Sequence, residues 1–132
     1  MTQPSIFTKI INGEIPCHKV YEDDTTLAFL DIFPVNEGHV LVIPKVEVEF
    51  VWDLPAADYV ALMETARRVA LRLRDVLPYK YIGERVIGTD VLHAHVHLIP
   101  FDTTSQLYAP QRVDTDPNHA ALAAMAKKLY FE

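Results

Sequence analysis

Residues 91–100 read Val91-Leu92-His93-Ala94-His95-Val96-His97-Leu98-Ile99-Pro100, three histidines at strict two-residue spacing among apolar neighbours. On a β-strand, side chains at i, i+2 and i+4 project from one face. The run therefore predicts a strand with a row of three imidazoles on one side, and with Leu92, Ala94, Val96 and Leu98 turned into a core. Half of the chain's six histidines are spent here. Like-charged imidazoliums side by side on one face are unfavourable, so the row needs a compensating reason. Two kinds of chemistry supply one. The row can ligate a metal, or one ring can act as nucleophile while its neighbours bind the anion under attack. A lone histidine such as His18 or His119 needs no such account, and reads as a polar residue facing water or satisfied in the core.

Composition narrows the setting. At 132 residues, half of them hydrophobic, the chain reads as a single domain over residues 1–132 that can bury a real core. No apolar stretch is long enough to cross a bilayer, and no membrane role is expected. Met1-Thr2-Gln3-Pro4 lacks the basic start and apolar run of a signal peptide. With that, a single cysteine points to the reducing cytoplasm, and Cys17 reads as structural or incidental. A net charge of −6 does not suit a protein that holds nucleic acid by its phosphates. The cluster Arg67, Arg68, Arg72 and Arg74 lies on a predicted helix beside Glu64 and Asp75, which reads as a solvated face.

Along the chain, Ser5 to Gly13 predicts a short helix, with Gly13 as its stop. Strands follow at His18–Glu22, Thr26–Ile32 and His39–Pro44, the last nearly all apolar and so central in the sheet. Asp53 is a candidate N-cap, with Pro55 in the first turn of a long helix. Tyr59, Leu62, Met63, Ala66, Val69, Ala70, Leu73 and Leu77 keep its period until Pro78 ends it. Lys80–Gly88 and Val91–Pro100 predict two more strands, joined at Gly88-Thr89-Asp90 by a connection short enough for antiparallel pairing. Asp116-Pro117 caps a last helix over about 117–130, within a C-terminal extension spanning 103–132. The fold class is α+β: about five mostly antiparallel strands, one long helix, a short N-terminal helix and a C-terminal helix.

The run His93-Ala94-His95-Val96-His97-Leu98-Ile99 resembles the H-φ-H-φ-H-φ-φ signature of the histidine triad superfamily. Upstream segments agree in order and spacing: Ile6-Phe7, Lys9-Ile10-Ile11, Gly13-Glu14-Ile15-Pro16, Tyr21-Glu22-Asp23, Leu27-Ala28-Phe29-Leu30-Asp31-Ile32, and Gly38-His39 through Pro44-Lys45. The similarity spans about residues 5–101. It implies a nucleotide-binding hydrolase or transferase acting at the α-phosphate of nucleoside phosphoramidates or dinucleoside polyphosphates, with purine nucleoside phosphates as ligands. It implies too a homodimer that continues the sheet across two subunits. On this resemblance His95 is the nucleophile and is transiently nucleotidylated. His97 would donate to phosphate oxygens or the leaving group, His93 would orient the row, and His39 would support it. Asp31 would accept from the ribose hydroxyls, with Ile32 against the base and Ile6, Phe7 and Leu41 lining the base pocket. Backbone N–H groups of Gly88, Thr89 and Asp90 would face phosphate.

The chemistry follows from elementary properties. A free imidazole, with a pKa of about 6.5, is mostly unprotonated at neutral pH and nucleophilic without a strong base. Its far nitrogen needs an acceptor that fixes the tautomer and bears developing positive charge. A phosphoryl centre gathers charge on its non-bridging oxygens, so donors must surround it.

The chain also departs from the family pattern. Ser5 and Thr8 stand where many members carry the Cys-x-x-Cys that joins two histidines around a structural zinc, so no metal or other cofactor is expected. Thr89 replaces a usual Gln. Asp90 replaces a polar Ser or Thr, and its charge would repel phosphate unless turned away. The loop Ile82–Gly88 is shorter, leaving the usual phosphate-site Asn without a counterpart. Two alternatives stay open: a zinc site made by His93, His95 and His97, and a nucleotide-binding protein without useful catalysis.

Overall fold

The computed structural model describes residues 3–132; Met1 and Thr2, half of the N-terminal stretch read for a signal peptide, lie outside the described residues. Helix α1 (Ile6–Ile11) leads into strands β1 (Lys19–Glu22), β2 (Thr26–Leu30) and β3 (Val40–Pro44). The long helix α2 (Ala56–Val76) follows, then β4 (Tyr81–Arg85), β5 (Val96–Phe101), α3 (Thr104–Leu107) and α4 (His119–Leu129). The strands form one antiparallel sheet in the order β1-β2-β3-β5-β4. The α+β expectation holds, with β3 in the centre. Among the described residues no helix is long and apolar enough to cross a membrane.

Alternation sorts each strand's residues between two layers. Ala28, Leu30, Val40, Val42, Val96 and Leu98 face α2 and α4, where Leu62, Ala66, Val69, Leu73 and Leu129 complete the larger core. Their neighbours Leu27, Phe29, Leu41 and Ile43 face the opposite side and pack with Phe7 of α1. Both faces are covered, so β2 and β3 are buried throughout. This is why β3 reads as continuously apolar rather than alternating.

Several boundaries differ from expectation. The strand expected over Val91–Pro100 begins only at Val96, so His93 and His95 sit on irregular backbone just before it. Pro44 has no N–H, and its carbonyl is taken by the His93 ring, while Ala94 N–H reaches past it to the Val48 carbonyl at 2.7 Å. The ladder therefore stops at the Val42–Val96 pair. Leu92, outside the ladder, is 61% exposed rather than in the core. β4 ends at Arg85, so residues 86–95 make a long connection instead of a tight hairpin at Gly88–Asp90. β2 stops short of Asp31 and Ile32.

The caps differ as well. Pro55 occupies the N-cap of α2 without a side-chain bond, while Asp53 lies in a separate 3-10 turn, Val51–Asp53. On α4 the cap is Asn118, whose side chain accepts from Ala121 N–H, not Asp116. Tyr59, counted in the apolar stripe, is exposed. Within the arginine cluster Arg67 makes a solvated pair with Glu64. Arg68 lies over the Tyr21 ring, and Arg72 donates to the Leu129 carbonyl that ends α4. His18 and His119 meet each other at 3.0 Å.

Candidate active site

The loop from β2 to β3 brings Asp31 and His39 opposite each other, the Asp31 N–H donating to the His39 carbonyl at 3.0 Å. Gly38 makes the turn at φ +84°, and a Cβ there would collide with a Leu77 methyl, so glycine is required. His39 is fully buried, and its Nδ1 accepts from Val35 N–H at 3.0 Å. A neutral ring that accepts at Nδ1 carries its hydrogen on Nε2. That atom lies 3.0 Å from His97 Nδ1. His39 therefore donates to His97, and the His97 hydrogen stands on its own Nε2.

The same reasoning fixes the other two rings. His95 Nδ1 lies 2.7 Å from the His93 carbonyl and must donate to it, which leaves a lone pair on Nε2. His93 Nε2 donates to the Pro44 carbonyl at 2.8 Å, and its Nδ1 accepts from the Ser5 hydroxyl at 2.8 Å. Ser5 in turn caps α1 by accepting from Thr8 N–H. The Thr8 hydroxyl and Ser5 N–H both donate to Glu47, each at 2.6 Å. Phe7 stands edge-on to both His93 and His95, and the His95 and His97 ring centres are 5.1 Å apart.

Electrostatics keep the supporting rings neutral. Burial first, then the His97 ring and the Arg85 charge, push His39 down to about 3. Burial, the His95 ring and Arg85 likewise push His97 down to about 4. His93 is lowered by burial, partly offset by the Pro44 carbonyl. The 3.8 Å approach of Asp31 to His39 Nε2 is accordingly not an ion pair. Burial raises Asp31 above its ordinary value, against hydrogen bonds from Phe33 N–H and Gln111.

The geometry does not favour the three-histidine zinc alternative. Both nitrogens of His93 are engaged elsewhere, so His93, His95 and His97 do not converge on a metal. Among the described residues, the group whose ligand atoms do lie within 4.8 Å of one another is Asp31, His39 and His97. There the Val35 N–H holds the His39 hydrogen on the very nitrogen that would have to coordinate.

A cavity of about 260 Å³ opens on the imidazole row. Ile6, Phe7 and Leu41 stand on its wall, together with Asp31, Ile32, Asp90, His95 and His97. His93 and His39 sit behind it, and His39 borders a second cavity against α4. Gly88 meets His95 in a separate small recess beside Phe50 and Trp52, and Thr89 lines none of these spaces.

Several residues on or near this face were not read as site residues from the sequence, three of them with polar side chains or a thiol. Cys17 is on the cavity wall, its thiol pushed up by burial. Arg85 pairs across the strands with His97, and its Nε is buried without a partner among the described residues. Gln111, from the segment between α3 and α4, lines the cavity and donates to Asp31. No local pattern marks either of the last two; each acts through a contact distant in sequence.

Fold and site together define a histidine-triad protein: a five-stranded antiparallel sheet presenting an imidazole row to an apolar cavity. The HIT domain family matches residues 12–104, and the chain belongs to that family. An uncharacterized HIT-like protein of Methanocaldococcus jannaschii is 41% identical over 99 residues, covering 72% of this chain and 77% of that protein. The adenosine 5'-monophosphoramidase of Saccharomyces cerevisiae is 38% identical over 96 residues, covering 72% of this chain and 61% of that enzyme. Among solved structures, a HIT-like protein of Bartonella henselae described as involved in cell-cycle regulation superposes with a TM-score of 0.82 at 28% identity. That match covers 97% of this chain and 95% of the other.

Proposed function

We propose that this protein is a nucleotide-binding hydrolase or transferase that cleaves at the α-phosphate of nucleoside phosphoramidates or dinucleoside polyphosphates. One observation carries the reading: His95 gives its Nδ1 hydrogen to the His93 carbonyl, so its Nε2 lone pair is free at the cavity. In the first step Nε2 attacks the α-phosphorus. An N–P bond forms, the bond to the leaving amine or phosphate breaks, and a leaving amine takes a proton from solvent. The positive charge on His95 is borne against the His93 carbonyl. His97, its hydrogen held on Nε2 by His39, donates to the oxygens that gather charge. Water then attacks phosphorus, the N–P bond breaks, and nucleoside monophosphate, a proton and neutral His95 are released. Asp31 accepts from the ribose hydroxyls, and Ile6, Phe7, Ile32 and Leu41 hold the base.

The activity of the yeast relative supports the phosphoramidate class. No metal takes part in this scheme. Ser5, Thr8 and Glu47 offer oxygens already committed to hydrogen bonds around His93, a donor set ill-suited to the tetrahedral zinc that Cys and His build. We also propose a homodimer through the β4 edge, which carries the exposed Tyr81 and continues into exposed Ile87. Sedimentation at micromolar concentration checks it.

Intact mass spectrometry after brief exposure to adenosine phosphoramidate tests the mechanism. An adenylate adduct on the wild-type chain, absent from His95→Ala, is expected; a folded His95→Ala that still turns substrate over overturns it. The position of Asp90 on the cavity wall favours a second reading, binding without useful turnover. Tight AMP binding with no adduct from any phosphoramidate or dinucleotide would establish that reading instead.

A further inference from the structure

The segment between α3 and α4 reaches the cavity, where Gln111 and Val113 join the wall. Gln111 spends both amide hydrogens there. Its Nε2 donates to Asp31 Oδ2 at 2.9 Å and to the Phe33 carbonyl at 2.8 Å. Asp31 Oδ1 is held by Phe33 N–H at 2.8 Å. The carboxylate is thus gripped once on each oxygen, by donors that fix its plane. A carboxylate has about four lone-pair sites, so one acceptor position remains free on each oxygen. Two adjacent acceptors at fixed spacing suit a vicinal diol. The Gln111 amide oxygen takes no partner among the described residues and adds a third acceptor at the same wall.

Resting on the nucleotide reading above, we propose that Gln111 is the specificity-determining residue for the sugar, orienting the Asp31 carboxylate so that the site selects ribose over sugars lacking the diol. The C-terminal strap is in this sense part of the nucleoside site, although it lies beyond the histidine motif. Without the Gln111 donor, Asp31 keeps only the Phe33 N–H and turns about its last bond, and the paired acceptor geometry is lost. Gln111 makes no hydrogen bond to the imidazole row, its amide hydrogens going to Asp31 and Phe33. The effect therefore falls on the diol alone, which a general loosening of the fold would not reproduce.

Calorimetric titration of the full chain with AMP and with 2',3'-dideoxyadenosine monophosphate tests this. Gln111→Ala should weaken AMP about fivefold to tenfold, the worth of one or two hydrogen bonds, and the dideoxy nucleotide no more than about twofold. On an Asp31→Asn background the same substitution should add little, because the two residues act as one unit. Equal losses for both nucleotides, or an unchanged affinity for AMP, overturn the proposal. Wild-type protein that favours AMP while Gln111→Ala keeps the full preference defeats this inference alone. Wild-type protein that binds neither nucleotide defeats the nucleotide reading and this inference with it.

Discussion

The two faces of the sheet are made from the same strands yet obey different rules. Toward α2, Val40, Val42, Val96 and Leu98 meet Leu62, Val69 and Leu73 in an apolar layer, into which Thr26 and Thr65 bring hydroxyls that bond each other at 2.7 Å. On the other side, one residue along each strand, the layer holds Phe7, Phe29 and Leu41 but also His93, His95 and His97, buried and polar. The first face gains by excluding water from hydrocarbon. The second must give its buried rings hydrogen-bond partners, and does so with the Pro44 carbonyl, the His93 carbonyl and the Val35 N–H, joined by the Ser5 hydroxyl on His93 and by His39 on His97. Backbone partners cannot change rotamer, so His39, His93 and His95 are each held in one tautomer, and His97 takes its own from His39. Stability resides on one face, and a fixed arrangement of lone pairs and hydrogens resides on the other.

Substitutions on opposite faces should therefore part company. His95→Ala should lower turnover by on the order of 10³ or more with little change in melting temperature, as steady-state kinetics beside a thermal melt would register. Leu73→Ala, on the fully buried apolar side, should do the reverse and remove about 2–5 kcal/mol of stability in urea unfolding, with activity retained at low temperature. If both variants lost stability alike, the division between faces would be wrong.

Acid should also act through the imidazole face. His39 and His97 are pushed down to about 3 and about 4, against about 6.5 in the unfolded chain. Below about pH 6.5 the unfolded state binds protons that the folded state refuses, so stability is full above that pH and falls as the solution is acidified toward pH 4. Each such histidine contributes a slope of about 1.4 kcal/mol per pH unit in that window. Urea midpoints from pH 7 to 4.5 should fall less steeply for His39→Gln than for the wild type. Identical slopes would assign the acid sensitivity to other groups.

A smaller effect should follow Ser5→Ala, which removes both the α1 cap and the donor to His93 Nδ1. A loss of about 1–2 kcal/mol is expected, with a reduced kcat and nearly unchanged KM, since the ring behind the nucleophile loosens while the cavity keeps its shape. The mildest change is Asp90→Ser. Removing a negative charge from the cavity wall should improve affinity for AMP a few-fold at low ionic strength, and the gain should shrink in added salt.

Legibility in the sequence follows the range of the forces involved. Short-range periodicity made the sheet, the long helix and the alternation from Val96 onward readable, because side-chain direction on a strand depends only on neighbouring residues. The same periodicity overreached at His93 and His95. There the strand ends, since Pro44 on the partner strand offers no N–H and turns its carbonyl to a side chain. Cap assignments failed for a related reason: Asp53 and Asp116 have suitable side chains, but Asp53 is drawn into a 3-10 turn, and Pro55 and Asn118 hold the two N-cap positions.

What the sequence alone determined is the inventory: which imidazoles exist, that they alternate among apolar residues, and that the chain belongs with others built on the same motif. Only the tertiary structure decided what each ring does. Which nitrogen holds a proton depends on partners 4, 49 or 58 residues away, Val35 for His39, Pro44 for His93, and His39 for His97. The grip of Gln111 on Asp31 spans 80 residues. Hydrogen bonds act over about 3 Å in space and are indifferent to separation along the chain, so these roles came into being only when the sheet closed.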